Sequence, residues 1–161
     1  MGSFIVRPLH AADREWVRRF VIERWGAEIV VTRGIVHRPG ELPGFVAEDA
    51  GTVVGLLTYR VDEQGLEIVT LDSVRPGEGI GTALLAAARD AAQRAGARRI
   101  WLVTTNDNLD ALRFYQRRGF VLVAVDRDAI AASRRVKPQV ALVGAYGIPL
   151  RDEIALELLL P

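Results

Sequence analysis

The run Val74-Arg75-Pro76-Gly77-Glu78-Gly79-Ile80-Gly81-Thr82-Ala83-Leu84-Leu85 constrains this chain more than any other stretch. An apolar segment, Leu66 to Val74, leads into it and reads as a strand, and an alanine-rich segment, Thr82 to Ala95, follows it and reads as a helix. Glycines alternate at 77, 79 and 81, where strand becomes helix. Glycine lets the backbone approach a ligand closely and aim its N–H groups at it. The helix N-terminus adds partial positive charge, so the corner is suited to an anion, phosphate above all.

The segments on either side set the architecture. Phe4 to Arg7 reads as a strand that ends at Pro8, and Ala11 to Trp25 as a helix with Trp16, Val17, Phe20, Val21 and Trp25 on its apolar face. Residues 27–43 are broken by Gly34, Pro39, Gly40 and Pro43, with Ile29-Val30-Val31 open between strand and short helix. Gly44 to Asp49, Thr52 to Val61 and Gly65 to Val74 form an expected antiparallel meander, separated by Ala50-Gly51 and Asp62-Glu63-Gln64. After the central helix come a strand (Arg99 to Thr105), a helix (Leu109 to Arg118, stopped by Gly119) and a strand (Phe120 to Val125). A short helix over Asp128 to Val136, an irregular stretch from Lys137 to Pro149 and a last strand, Glu153 to Leu160, complete the order. A meander joined to β–α–β units predicts an α/β (α+β) fold with a mixed sheet of about six to seven strands flanked by helices. No linker divides the 161 residues, so residues 1–161 are expected to form one domain.

Composition removes several functions. The chain has no cysteine, which excludes disulfides, thiolate nucleophiles and cysteine zinc sites, and its two histidines, His10 and His37, are too few for a histidine-rich metal site. The net charge of +1 gives no pull toward nucleic acid or a membrane surface. No signal peptide or membrane-spanning run is present, and Val6 stands where a Met1-Gly2 myristoylation motif needs Ser or Thr, so a cytoplasmic protein is expected.

Three phosphate-binding patterns compete for the glycine turn. A P-loop needs Gly-Lys-Ser/Thr, but Gly81 is followed directly by Thr82. A dinucleotide fingerprint needs G-x-G-x-x-G, whereas the spacing here is G-x-G-x-G, with Asp107 as the candidate acid after the next strand. The third pattern uses more of the chain. Gly79-Ile80-Gly81 before a helix, then Asn108-Leu109-Asp110-Ala111-Leu112-Arg113-Phe114-Tyr115-Gln116-Arg117-Arg118-Gly119-Phe120, resembles the GNAT family of acetyl-coenzyme A-dependent N-acyltransferases. The first block is similar to that family's R/Q-x-x-G-x-G/A pyrophosphate loop and the second to its N-x-x-A-x-x-x-Y-x-x-x-G-F element. One position departs: Pro76, which has no N–H, stands where the family carries Arg or Gln, with Arg75 beside it.

The resemblance implies acetyl-CoA as acyl donor, no metal, and a primary amine, of a small molecule first, as acceptor. It implies cofactor contacts from Leu71, Ser73 and Val74 on the strand and from Gly77, Glu78, Gly79, Ile80, Gly81 and Thr82 in the turn, with Glu78 pointing away from the phosphates. Asn108, Ala111 and Tyr115 complete that set. Tyr115 takes the place of the general acid that protonates the departing thiolate. Glu67 is the first candidate base; by alternation it shares a face with Val69, Leu71 and Ser73, while Asp72, the second candidate, lies opposite. A backbone N–H within Leu71 to Val74 would meet the oxyanion. Asn108 also suits a helix N-cap. Trp25 and Trp101 read as packing residues, His37 as a solvated loop residue and Arg134-Arg135-x-Lys137 as a solvated face. Residues 26–43 and 133–151 are expected to wall the acceptor pocket. A coenzyme A-binding sensor, a protein N-terminal or lysine acetyltransferase, and a homodimer all stay open.

Overall fold

In the computed structural model, which describes residues 3–161, turn residues divide the chain where expected and two faces of one sheet bury the apolar runs. The Met1-Gly2 start weighed for myristoylation lies outside the described residues. The elements in order are β1 (Ile5–Pro8), α1 (Arg14–Trp25), β2 (Val30–Thr32), β3 (Ile35–His37), β4 (Gly44–Asp49), β5 (Thr52–Asp62), β6 (Gly65–Ser73), α2 (Ile80–Arg94), β7 (Arg99–Thr105), α3 (Leu109–Gln116), β8 (Val121–Asp126), α4 (Ala129–Val136) and β9 (Glu153–Leu159). The main sheet runs β1-β4-β5-β6-β7-β9-β8, and β2 and β3 form a separate hairpin that resolves the open reading of residues 29–31 as strand. Among the described residues, no helix is long and apolar enough to cross a membrane.

Helix α2 is the β6-to-β7 crossover. Its buried residues Ile80, Leu84, Leu85, Ala88, Ala91 and Ala92 recur at helical spacing and pack, with Leu57, Leu66, Ile68, Ile100 and Leu102, into the larger core. On the other face α1 buries Val17 and Val21 against Leu56. Asp13, at the mouth of α1, is held by both terminal nitrogens of Arg7 (2.8 and 3.0 Å), by the His10 N–H (2.7 Å) and by the Trp16 indole (2.7 Å). These partners, led by Arg7, hold its carboxyl well below the usual carboxylate range.

Strand β6 departs from strict alternation. Thr58 pairs with Thr70 but the next residue, Tyr59, pairs with Ile68, so Val69 is an inserted bulge residue. The insertion shifts the side-chain parity. Glu67, Thr70 and Asp72 therefore face the same side, opposite Arg60, Thr58 and Leu56 in turn. A 2.7 Å contact between the Thr58 and Thr70 hydroxyls and a 2.6 Å ion pair from Arg60 Nε to Glu67 Oε1 lie along that row. The expected grouping of Glu67 with Val69, Leu71 and Ser73, opposite Asp72, is thus corrected: both candidate bases share the α1 face.

Candidate active site

Strands β6 and β7 are parallel neighbours but pair only at Leu66 with Ile100 and Glu67 with Trp101. Beyond those residues they part, leaving a cleft open toward their C-terminal ends. One wall is the upper edge of β6. Val74 donates its N–H to the Val54 carbonyl at 2.9 Å, so it cannot serve an oxyanion, which corrects the expectation for that residue. Backbone groups of an antiparallel strand alternate between its two edges. Ser73, and two residues earlier Leu71, therefore turn their N–H groups to the edge that β7 leaves open.

The glycine turn sits at the head of this cleft. Gly77 (φ +82°) and Gly79 (φ +80°) are left-handed, and Gly79 is the N-cap of α2. A side chain there would adopt a backbone conformation that L residues disfavour. None of the six successive N–H groups from Gly77 to Thr82 donates to an acceptor among the described residues; the first bonded amide is Ala83, to the Gly79 carbonyl at 3.0 Å. Six converging donors at a helix start form an anion cradle. Glu78 is exposed at its rim, and Ile80 buries its side chain in the core, leaving only its backbone to the turn. Gly81 is needed for another reason. A Cβ there would meet the Phe114 ring at 3.1 and 3.2 Å, so its absence lets α3 close against α2.

Arg118 adds a cation to the cradle. Its guanidinium donates to the Thr82 hydroxyl from Nη2 (2.8 Å) and Nε (3.1 Å) and to the Phe114 carbonyl from Nη1 (2.8 Å), and it lies 3.7 Å over the Phe114 ring centroid. The residues beside the vacant Arg/Gln position do not fill it: Pro76 is exposed, and Arg75 is turned away into an ion pair with Asp49. The sequence reading missed Arg118, because an arginine in the last turn of a helix reads as solvent-facing. Its place one residue before Gly119 was the only available signal.

On the opposite wall Asn108 caps α3, accepting from the Ala111 N–H at 3.2 Å and donating to the Thr104 hydroxyl at 3.1 Å. The Ala111 amide is thereby committed to the cap. One helical turn on, Tyr115 packs edge-on between Phe114 (5.1 Å) and Phe120 (5.2 Å). Burial, then the Asp72 charge, pushes its phenol above the ordinary tyrosine range. Its hydroxyl makes no hydrogen bond among the described residues, and it is not one of the sealed, unpartnered polar atoms, so the oxygen retains access to the outside.

The two candidate bases differ in what holds them. Glu67 is only 2% exposed and is neutralised by Arg60 at 2.6 Å. Asp72 accepts the Trp25 indole N–H at 2.9 Å and has Arg24 at 3.8 Å. Burial raises its carboxyl pKa, against the pull of those two partners. Trp25 is 39% exposed and is a ligand of Asp72, not the packing residue expected. Trp101 is buried as expected, with the guanidinium groups of Arg33 and Arg99 at 4.5 and 5.0 Å from its ring. His37 is not solvated: it ends β3, is 5% exposed, and pairs Nε2 with the Thr32 hydroxyl at 2.9 Å. Burial lowers its pKa although Glu67 acts to raise it.

The two irregular segments meet beside this face. Lys137, the only lysine of the chain, is buried and donates to the Trp25 and Ile29 carbonyls at 3.1 and 3.3 Å. Arg134 donates to the Ala141 and Leu150 carbonyls, each at 2.8 Å. The cluster expected to be a solvated face therefore clamps α4 to the end of α1 and to its own following loop. The Arg33 N–H at the β2–β3 turn donates to Glu153 Oε1 at 3.0 Å, fixing the hairpin over the α1 side of β9. A shallow cleft of about 240 Å³ between α1 and residues 39–43 shares none of these groups.

Comparison with known proteins agrees with this geometry. Residues 9–120 match the acetyltransferase (GNAT) family. The chain is 40% identical over 152 residues to the uncharacterised protein YdhI of Bacillus subtilis, covering 93% of this chain and 94% of that one. Streptothricin acetyltransferase of Streptomyces lavendulae is 36% identical over 94 residues, 56% of this chain and 44% of that protein. A GNAT family acetyltransferase from Elizabethkingia anophelis, solved with acetyl-CoA bound, superposes with a TM-score of 0.73 at 16% identity over 99% of this chain and 100% of that one. A strand pair that parts above its first two residues, a helix start with six free amides and a family match over most of the chain converge: this protein is an acyltransferase that belongs to the GNAT acetyltransferase family.

Proposed function

We propose that the protein transfers the acetyl group of acetyl-CoA to the primary amine of a small molecule, by direct attack with both substrates bound. The observation that carries this reading is the cradle of six unpartnered N–H groups from Gly77 to Thr82, with Arg118 beside it, at the head of the β6–β7 cleft. It fits a pyrophosphate, and the relative from Elizabethkingia anophelis was solved with acetyl-CoA.

Each chemical task then has a group. A lysine-like amine has a reference pKa near 10.4, so holding it neutral at pH 7 costs about 4–5 kcal/mol. Asp72 takes that proton, because burial lifts its basicity and its charge already acts on Tyr115. Glu67 is the second candidate; its ion pair with Arg60 lowers its capacity to accept a proton. The free amine adds to the thioester carbonyl, and the Leu71 and Ser73 N–H groups stabilise the oxyanion. As the C–N bond completes and the C–S bond breaks, Tyr115 donates its proton to sulfur and regains one from solvent. Its raised pKa keeps it an O–H donor at every pH at which the amine reacts. Asn108 and Ala111 line the path of the pantetheine arm. The similarity to streptothricin acetyltransferase supports a small-molecule amine as acceptor.

A thiol-release screen with acetyl-CoA and a panel of small primary amines, polyamines and lysine peptides tests the reading. Thiol release with a small amine, and a product heavier by one acetyl group, is expected. Release with peptides alone would transfer the assignment to protein acetylation. Binding of acetyl-CoA without release across the panel would favour a coenzyme A-binding sensor.

A further inference from the structure

The two edges of the main sheet are treated differently. At one end β1 has four residues, closes on Pro8, and its Arg7 is tied into Asp13 and Glu48. Short length, proline and charge are the usual means of blunting an edge strand. At the other end β8, Val121-Leu122-Val123-Ala124-Val125-Asp126, carries none of them before its last residue. Every residue of β8 is exposed, with Val121 at 57%, Leu122 and Val123 at 52% and Val125 at 60%. Leu159, beyond the Val121–Glu157 pair on β9, is 67% exposed and extends the patch. Such an apolar edge with one backbone row unpaired is a template for strand addition.

We propose that β8 is a homodimer interface, pairing antiparallel with β8 of a second copy. The charges at its ends select that partner. Arg117 and Arg118 precede the strand, and Asp126 and Asp128 close it. Antiparallel pairing about a two-fold axis at Val123 sets Val121 against Val125 and brings the basic end of each strand to the acidic end of the other. Parallel stacking of copies would instead set like charges together. The Val123 bulge, where β8 slips against β9 between Leu122 and Ala124, lies at that axis, so it occurs once per copy and interrupts only the centre of the joint ladder. Val121 and Ala124 lie on the face that carries Glu157 and Ala155, and Leu122 and Val125 on the core face of the sheet, so pairing would shield apolar side chains on both sides of the edge. The strand leads directly into α4, whose Lys137 holds the end of α1 beside Asp72, so the interface would brace one wall of the site from outside.

Sedimentation of the full chain from about 1 to 100 µM tests this. Twice the chain mass is expected, converting to monomer in Val123→Lys and in Val125→Lys. Arg117→Asp should weaken the dimer at least tenfold, and adding Asp128→Arg should restore it. Hydrogen exchange of the wild type should show β8 amides more protected at high than at low concentration. Ile5→Lys on the opposite edge should remain dimeric, and thiol release by each variant confirms that it is folded. A monomer throughout the range, or a dimer unaffected by both β8 lysines with unchanged β8 exchange, would overturn the proposal.

Discussion

Gly79 and Gly51 have the same left-handed backbone, φ +80° and +82°, and a Cβ added to either meets nothing within 4 Å. Replacing each with alanine applies the same perturbation in two places. Alanine in that conformation costs about 1–2 kcal/mol. Gly51 closes the β4–β5 hairpin after Ala50 (φ +49°), and strands on both sides hold it there. It cannot relax, so Gly51→Ala should lower the melting temperature by about 3–6 °C for a chain of this length and leave acetyl-CoA affinity unchanged. Gly79 stands among six amides that have no acceptor. In the free protein the turn can relax at little cost, but the bound state needs the cradle re-formed. The strain then falls on binding, so the Kd of Gly79→Ala for acetyl-CoA should rise about 5- to 30-fold at tenfold per 1.4 kcal/mol, with only a small change in melting temperature. Calorimetric titration and thermal melts on both variants measure this. If Gly79→Ala melts like Gly51→Ala and binds acetyl-CoA like the wild type, the turn does not hold the pyrophosphate.

Three further outcomes follow. The acid limb of kcat/KM should lie above the ordinary carboxylate range near 3.9, because activity requires ionised Asp72 and burial raises its pKa. Asp72→Asn should remove that limb and lower turnover about 10²- to 10⁴-fold, whereas Glu67→Gln should leave the limb in place; the opposite pattern in pH–rate profiles makes Glu67 the base. Arg118→Ala should raise the acetyl-CoA Kd about tenfold, the worth of one charge-assisted hydrogen bond, and Arg118→Lys should recover part of it in the same titration. Asp13→Asn should cost about 2–3 kcal/mol at pH 7 through loss of charge-assisted bonds, read by urea denaturation. Because the folded-state pKa of Asp13 is depressed, its contribution is complete above its unfolded value and disappears as pH falls below it, so wild type and variant should converge in acid.

Local patterns carried most of the fold. Glycine and proline divided the meander, helical spacing placed α2 and α3, and the two motif blocks located the cradle and Tyr115, because each depends on residues near one another in sequence. What stayed hidden depends on pairing across the sheet. An inserted residue such as Val69 has no compositional mark, yet it moved Glu67 to the face of Asp72. Whether the Val74 amide is free is decided by Val54, twenty residues away. Trp25 reads as one more apolar residue on α1 until its indole is found on Asp72, and His37 reads as a loop residue until the β2–β3 hairpin buries it. Arg118 and Lys137 have the composition of a wet surface, but Thr82, Phe114, Trp25 and Ile29 hold them in place.

The measurement that bears most directly on acyl transfer in the β6–β7 cleft is Tyr115→Phe, with turnover and coenzyme A affinity determined separately. Removing one oxygen leaves the ring packed between Phe114 and Phe120 and removes the only proton it can give to sulfur. The expected result is a kcat lower by about 10²- to 10⁴-fold with Kd for coenzyme A within twofold of the wild type. A variant that turns over at the wild-type rate would contradict the account, since the leaving thiolate would then take its proton elsewhere.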